Sequence, residues 1–310
     1  MEAGLSPVLL MIMLIAAGYT LRKTGILGSA HTDALPAILL HIAYPALIVG
    51  SVTSLDIGSL ASESLVVVGA TIVITLLLFV LGRAVLSRYG NLDRKPLILF
   101  SMAIGNIAFV ALPVIRVVFG DTGVYYTMLH SSAQDLIIWT LYYSYFVGGG
   151  TFQGLRLKKL ISPSFVALLI SIPLAALGLK PGGVIKDFLS MLGGLTVPLA
   201  LLYIGGVLAS HSAADWKPDR DTVLLSVGKV LIIPLAVLGV MQFVPAAPQI
   251  RLLLTVCFAA PVPVMSTIWA KQYGYDHRFS VTALLYSTVL FLLAAGGFIA
   301  FYGNGPILGG

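Results

Sequence analysis

The stretch GNIAFVALPVIRVVFG, Gly105 to Gly120, is apolar except for one amide, Asn106, and one charge, Arg116, and it carries a proline, Pro113, in its middle. Such a stretch inside a longer apolar run reads as a helix in lipid, where no water takes up a backbone group left unpaired. Asn106 and Pro113 then mark an interruption near mid-membrane. A second stretch, AAPVPVMSTIWAKQYG from Ala259 to Gly274, has the same ingredients: two prolines, Pro261 and Pro263, followed by the hydroxyls of Ser266 and Thr267. A helix broken inside a membrane exposes free amides at one cut end and free carbonyls at the other. The half-helix dipoles attract a carboxylate to the first and cations to the second. Two such breaks meeting would make a substrate site.

The composition places both stretches in a membrane. Of the 310 residues, 58% are hydrophobic and 10% charged, with a mean hydropathy of +1.01; a soluble domain carries about 25% charged residues. A bilayer core takes about 20 apolar residues per helix, and ten runs supply them. They lie near 5 to 20, 35 to 53, 65 to 82, 97 to 119, 123 to 147, 163 to 179, 188 to 209, 222 to 243, 250 to 270 and 280 to 302. No Lys or Arg precedes the first run and Arg22 and Lys23 follow it, so it reads as a retained span rather than a secretory signal. The single cysteine, Cys257, excludes an internal disulfide and a cysteine metal cluster. No P-loop, HExxH or nucleophile elbow is present, and no acid, base and nucleophile share one depth, which argues against an enzyme. The formal charge of +6 resides in short loops without interleaved aromatics, so no nucleic-acid partner is expected.

Orientation follows from the loops. Arg22, Lys23, Arg83, Arg88, Arg94, Lys95, Arg156, Lys158, Lys159, Lys217, Arg220, Lys271 and Arg278 fall in one alternate set, and only Lys180, Lys186 and Arg251 in the other. Basic residues collect on the cytoplasmic side, which puts both termini outside. The two halves match at a spacing of roughly 150 residues: Pro45 corresponds to Pro198, Pro113 to Pro261 or Pro263, and the Gly120-Asp121 turn to Gly274-Tyr275-Asp276. Five spans per half force the second copy upside down. The expected organisation is a first repeat over 1–150, a short cytoplasmic connection at 151–162 and an inverted second repeat over 163–310.

Three charges fall within spans. Asp135 lies about 12 residues into span five, about 18 Å at 1.5 Å per residue, near the midplane; with Thr127 and Ser131 it forms a polar stripe on one helical face. It reads as a proton-carrying acid or as a structural hydrogen-bonding one. Lys229, about 12 Å into span eight, either snorkels toward the headgroups or pairs with Asp135 or an anionic substrate. Arg116, one turn from the Gly120-Asp121 turn, reads first as an interface anchor. His41 and His130 read as packing histidines.

The two quoted stretches, with DLIIW from Asp135 to Trp139 and GYTLRKTGIL from Gly18 to Leu27, resemble the auxin efflux carrier family, which includes plant auxin carriers and bacterial carriers described as malonate transporters. The resemblance extends over nearly the whole chain. It implies a fold like that of the bile-acid sodium symporters, with scaffold and transport subdomains, broken helices four and nine crossing at the substrate, and dimerisation through the scaffold. Val262, Val264 and Met265 stand where many relatives carry a polar amide, and Asp135 where plant members often have an amide. The short connection suits a bacterial member in the inner membrane. The expectation is a secondary carrier, or uniporter, of small organic anions. Substrate would be held by Gly105, Asn106, Pro113, Pro261, Pro263, Ser266 and Thr267, with Asp135, Lys229 and Arg116 as charge or coupling residues. No cofactor or metal is expected; H+ or Na+ is the candidate coupling ion. A sodium-coupled bile-acid-type symporter and a membrane sensor are the alternatives.

Overall fold

The computed structural model describes residues 2–148, 161–210 and 217–302. The connection expected at 151–162 lies outside them except for Ile161 and Ser162, and so do Arg156, Lys158 and Lys159. Every regular element among the described residues is helical. In chain order they are α1 (Glu2–Lys23), α2 (Ser29–Ile38), α3 (Tyr44–Val52), α4 (Ala61–Val85), α5 (Lys95–Ala103), α6 (Leu112–Ile137), α7 (Tyr143–Gly148), α8 (Pro163–Ala176), α9 (Gly183–Gly194), α10 (Thr196–Ser210), α11 (Arg220–Val227), α12 (Ile233–Met241), α13 (Pro248–Ala259), α14 (Val264–Tyr273) and α15 (His277–Tyr302).

Seven helical stretches among the described residues are long and apolar enough to cross a membrane: Ala34–Val52, Ala61–Arg88, Ile107–Phe146, Gly183–Ser210, Arg220–Met241, Pro248–Tyr273 and His277–Gly296. Of the ten expected spans, the first, α1, is not among the seven, and the other two differences have local causes. The expected sixth span is α8, only 14 residues long. The expected fourth is cut after Ala103; its outer half, from Ile107, meets the fifth at Gly120, whose non-helical φ of 60° and ψ of −151° separate two helices within the 40-residue stretch, at the turn expected there.

The prolines leave a common signature. Pro45, Pro113 and Pro234 each sit two residues past a π-helical turn, Leu39–Ala43, Ile107–Ala111 and Gly228–Ile232. A proline lacks the amide that would close the ladder, and its ring presses on the carbonyl four residues back. Widening the preceding turn to i→i+5 bonding relieves both without ending the helix.

Helix contacts sort the chain into two groups. In one, α1 packs along α10, and α3 packs on α8 and α9. That first contact is close because it is built on glycine: a Cβ on Gly18 would come within 2.2 Å of the Leu202 carbonyl oxygen, and one on Gly205 within 2.0 Å of that of Ile15. Small residues let membrane helices approach this way. In the other group α4 packs on α5 and α6, α13 on α6 and α12, and α15 on α11 and α14. The groups meet where α3 touches α6 and where α10 touches the π turn ahead of α6.

Candidate functional site at the helix crossing

Both breaks belong to the second group, and they touch. In the first, Ile104 is extended and the helix resumes at Ile107. In the second, Ala260 and Pro263 are extended; Pro261 and Pro263 disfavour the helical region for the residues before them, Ala260 and Val262. The Asn106 amide donates to the Pro261 carbonyl at 2.8 Å, and the Val262 amide to Ser287 Oγ at 3.0 Å. A Cβ on Gly105 would lie 2.6 Å from that of Ala260, so only glycine lets the two backbones cross here.

The cut end of α5 is closed by side chains from two other helices. The Ala103 carbonyl accepts from Gln134 Nε2 at 3.2 Å and from Lys229 Nζ at 3.4 Å. A cation on a helix C-terminus satisfies both the dipole and the free lone pairs. The restarting ends stay open. Among the described residues no carbonyl or side chain accepts from the amides of Ala108, Phe109, Val264 or Met265, as the first turn of a helix requires unless a cap is supplied.

All four residues line a cavity of about 510 Å³ that starts at the crossing and runs to Pro36 of α2 and to Ser162, Ser164 and Phe165 at the head of α8. Its walls are apolar and aromatic, with Tyr44, Phe109 and Tyr203 among them. Asn106, 7% exposed, lines it with a carboxamide that makes no hydrogen bond to a described residue. Asp135 lines it too, and no hydrogen bond or ion pair reaches its carboxylate among the described residues. A larger cavity, about 660 Å³, opens at the opposite end of the bundle around Glu63, Gly120, Asp121 and Gln249. There Asp121 accepts from Ser51 Oγ at 2.7 Å and Glu63 from the Tyr126 hydroxyl at 2.7 Å.

The structure thus brings together Gly105, Asn106, Pro261, Pro263 and Asp135. It separates others from them. Pro113 is buried in the first segment of α6, ahead of the Gly120 kink, so the half-helix end lies seven residues earlier, at Asn106. Ser266 turns away to Ser280 Oγ at 2.6 Å, and Thr267 bonds back to the Val264 carbonyl at 2.8 Å; neither lines the cavity. Arg116 is partly buried and also stands outside it. Lys229 neither snorkels nor pairs with Asp135: it is fully buried behind the cavity wall, against Ala103. His130 is buried and bonded to Thr71 Oγ1 at 2.9 Å, and His41 bonds the Ala37 carbonyl. Ser131, read as part of the Asp135 stripe, lines the cavity with it, whereas sequence reading missed Gln134 and Ser132. A polar residue beside Asp135 in an apolar span was the signal for the first.

At the face carrying the basic loops, Arg94 gathers three carboxylates. It contacts Asp219, reaches Asp221 at 3.2 Å and Asp276 at 2.8 Å, and stacks 4.7 Å from the Phe279 ring. Tyr89 also donates to Asp221. Burial and that hydrogen bond push the Tyr89 phenol up to about 12. Burial works to raise Asp219, but the amide and hydroxyl of Thr222 and the guanidinium of Arg94 outweigh it and hold its carboxyl below the usual range. The cluster ties the entrances of α5, α11 and α15 into one unit.

Comparison with known proteins agrees with this geometry. A family described as membrane transport protein matches residues 3–151 and 150–299. An uncharacterized transporter of Methanothermobacter thermautotrophicus is 26% identical over 93% of this chain and 94% of its own. A second uncharacterized transporter, MJ1031 of Methanocaldococcus jannaschii, is 23% identical over 92% and 94%. Protein PIN-LIKES 2 of Arabidopsis thaliana is 24% identical over 47% of this chain and 35% of its own. With the family matched along nearly its whole length, the chain belongs to the membrane transport protein family of auxin efflux carriers and is a multi-pass membrane transporter, not an enzyme.

Proposed function

We propose that the protein is a secondary active transporter, or uniporter, that moves small organic anions of the auxin-like or malonate-like kind by alternating access. One observation carries the reading: two helix breaks hydrogen-bonded to each other at the head of a 510 Å³ cavity, with the Asn106 side-chain carboxamide, unpartnered among the described residues, and four free backbone amides lining it. Open helix N-termini in a low-dielectric cavity suit a carboxylate. In this reading the chain has ten spans in two inverted five-helix repeats, fourth and ninth broken, with the expected sixth a short helix. The group containing both breaks is the moving bundle; the group built on the α1–α10 contact is the scaffold and the dimer surface. Both termini lie outside a bacterial inner membrane, and the cavity faces the cytoplasm. Asp135 and Lys229 set the charge balance of the loaded site, the first from its wall and the second from behind it, while Arg116 anchors the outer interface. H+ or Na+ is the coupling ion.

Counterflow of labelled carboxylates, including malonate and indole-3-acetate, in proteoliposomes tests this. Wild type is expected to exchange at least one of them saturably and Asn106→Ala to lose that exchange while remaining folded. No exchange across the panel would overturn the substrate class; unchanged exchange in Asn106→Ala would overturn the site. A second reading, a sodium-coupled bile-acid-type symporter, draws on the unpartnered Asp135 carboxylate, which needs a positive partner. Flux that stops when sodium is replaced by choline would favour it.

A further inference from the structure

The lining of the crossover cavity is charged in only one way. Among the described residues Asp135 is its single carboxylate, and no Lys, Arg or His of theirs lines it. Lys229, buried and outside the lining, already serves the Ala103 carbonyl. With Asp135 ionised, a dicarboxylate would therefore place three negative charges in about 510 Å³ whose described lining supplies no cation, an arrangement that low dielectric penalises steeply. A monocarboxylate still leaves Asp135 without a partner. A bare ion would complete Asp135 but leave most of the cavity, and its aromatic wall, unused.

Resting on the transporter reading and the site above, but with a zwitterion in place of the simple anion, we propose that the cavity takes an amino acid with a bulky apolar side chain. Its carboxylate is received by the unpartnered Asn106 amide and the free amides at the heads of the two half-helices. Its ammonium supplies the positive charge that the Asp135 surroundings lack. Its side chain lies against Tyr44, Phe109, Phe165 and Tyr203. The ammonium offsets Asp135, the amides receive the carboxylate, and the remaining single negative charge is balanced by Lys229 nearby, so each buried polar group finds a partner of the complementary kind. No covalent step is involved. The specificity is negative as well as positive: an acid without an ammonium strands Asp135, and an amine without a carboxylate strands Asn106.

The test is equilibrium binding of labelled phenylalanine, tryptophan and leucine, and of 3-phenylpropionate, phenethylamine and malonate, to the purified protein in nanodiscs. At least one zwitterion is expected to bind wild type ten-fold or more tightly than 3-phenylpropionate, phenethylamine and malonate. Asp135→Asn should lose that zwitterion ten-fold or more while 3-phenylpropionate binds as well as before or better; Asp135→Glu should retain it. Size-exclusion profiles of the variants separate misfolding from lost recognition. Tighter binding of 3-phenylpropionate or malonate than of any zwitterion, or zwitterion binding indifferent to Asp135→Asn, would overturn the proposal and leave the anion carrier standing. Sodium-dependent binding of the simple acids would overturn it in favour of an ion at Asp135. Binding of none of the six would overturn the proposal, and absence of counterflow with them and with indole-3-acetate would remove the transporter reading of the cavity as well.

Discussion

Arg94 and Lys229 are two cations of the same helix group, neutralised in opposite ways. Arg94, at the loop face, is held by the carboxylates of Asp219, Asp221 and Asp276. Lys229, fully buried, meets only the carbonyl of Ala103 at 3.4 Å, an oxygen left free because α5 stops there. In water-facing loops a guanidinium fork and several carboxylates can share charge cheaply. In the bundle interior a carboxylate beside Lys229 would cancel it, whereas a helix end shares its charge and keeps the interior positive behind the substrate cavity. The first arrangement fastens helix entrances together; the second sets the electrostatics at the cut end of a broken helix.

The sharpest way to break the comparison is Lys229→Glu. It puts a second acceptor against the Ala103 carbonyl with no donor between them, and an uncompensated buried charge costs about 3–5 kcal/mol. Little folded protein should reach the membrane fraction, measured by fluorescence size-exclusion of a tagged chain. Lys229→Met keeps the volume and leaves Gln134 on the carbonyl. Loss of one charge-assisted bond inside a membrane is worth about 1–2 kcal/mol, so a folded protein with roughly ten-fold slower exchange is expected; unchanged exchange would show that Lys229 only fills space.

Arg94→Met should act on stability rather than on transport. Its partners are partly exposed, 46%, 31% and 26% for Asp219, Asp221 and Asp276, and solvent screening limits the loss to about 1–2 kcal/mol. Thermal unfolding in detergent should shift down by a few degrees, less so at high salt, with exchange in proteoliposomes at the working temperature retained. Asp276→Asn added to Arg94→Met should recover part of the loss, because it removes one of three like charges.

The smallest effects are pH limits of the same cluster. Asp219 has a depressed folded pKa, so its contribution is fully present above its unfolded value of about 3.9 and disappears as pH falls through the folded one. Asp219→Asn should flatten acid destabilisation below pH of about 4. Tyr89 has the opposite sign. Its folded value, about 12, lies above its unfolded value of about 10, so its contribution holds below pH of about 10 and is lost between there and about 12. Tyr89→Phe should remove that alkaline slope in a detergent melting series.

The helical class and the two breaks were legible because apolar length and proline position act locally. That the breaks would meet was implied by the family resemblance, beside the correspondence of Pro113 with Pro261 or Pro263. Which side chains face the cavity was not. Ser266 and Thr267 lie on the right stretch, but one turns to Ser280 and the other to its own helix, and residue type carries no record of rotation about the helix axis. Pro113 marked the wrong residue because the π turn ahead of it absorbs its missing amide. Gln134 and Lys229 converge on one carbonyl from helices almost a hundred residues apart in sequence, and Arg94 was legible only as a basic loop residue, since its three partners are brought to it by the fold.

The central claim is that the cavity at the crossing opens alternately to the two sides of the membrane. Cys257 is the only cysteine and is buried, so Cys257→Ser with Ser132→Cys gives one reactive thiol on the cavity wall. Its labelling by a membrane-impermeant thiol reagent, applied from each side of sealed vesicles, is the direct measurement. The account predicts labelling from both sides, with substrate slowing one and the other changing in the opposite sense; labelling from one side alone, whatever the substrate, would contradict it.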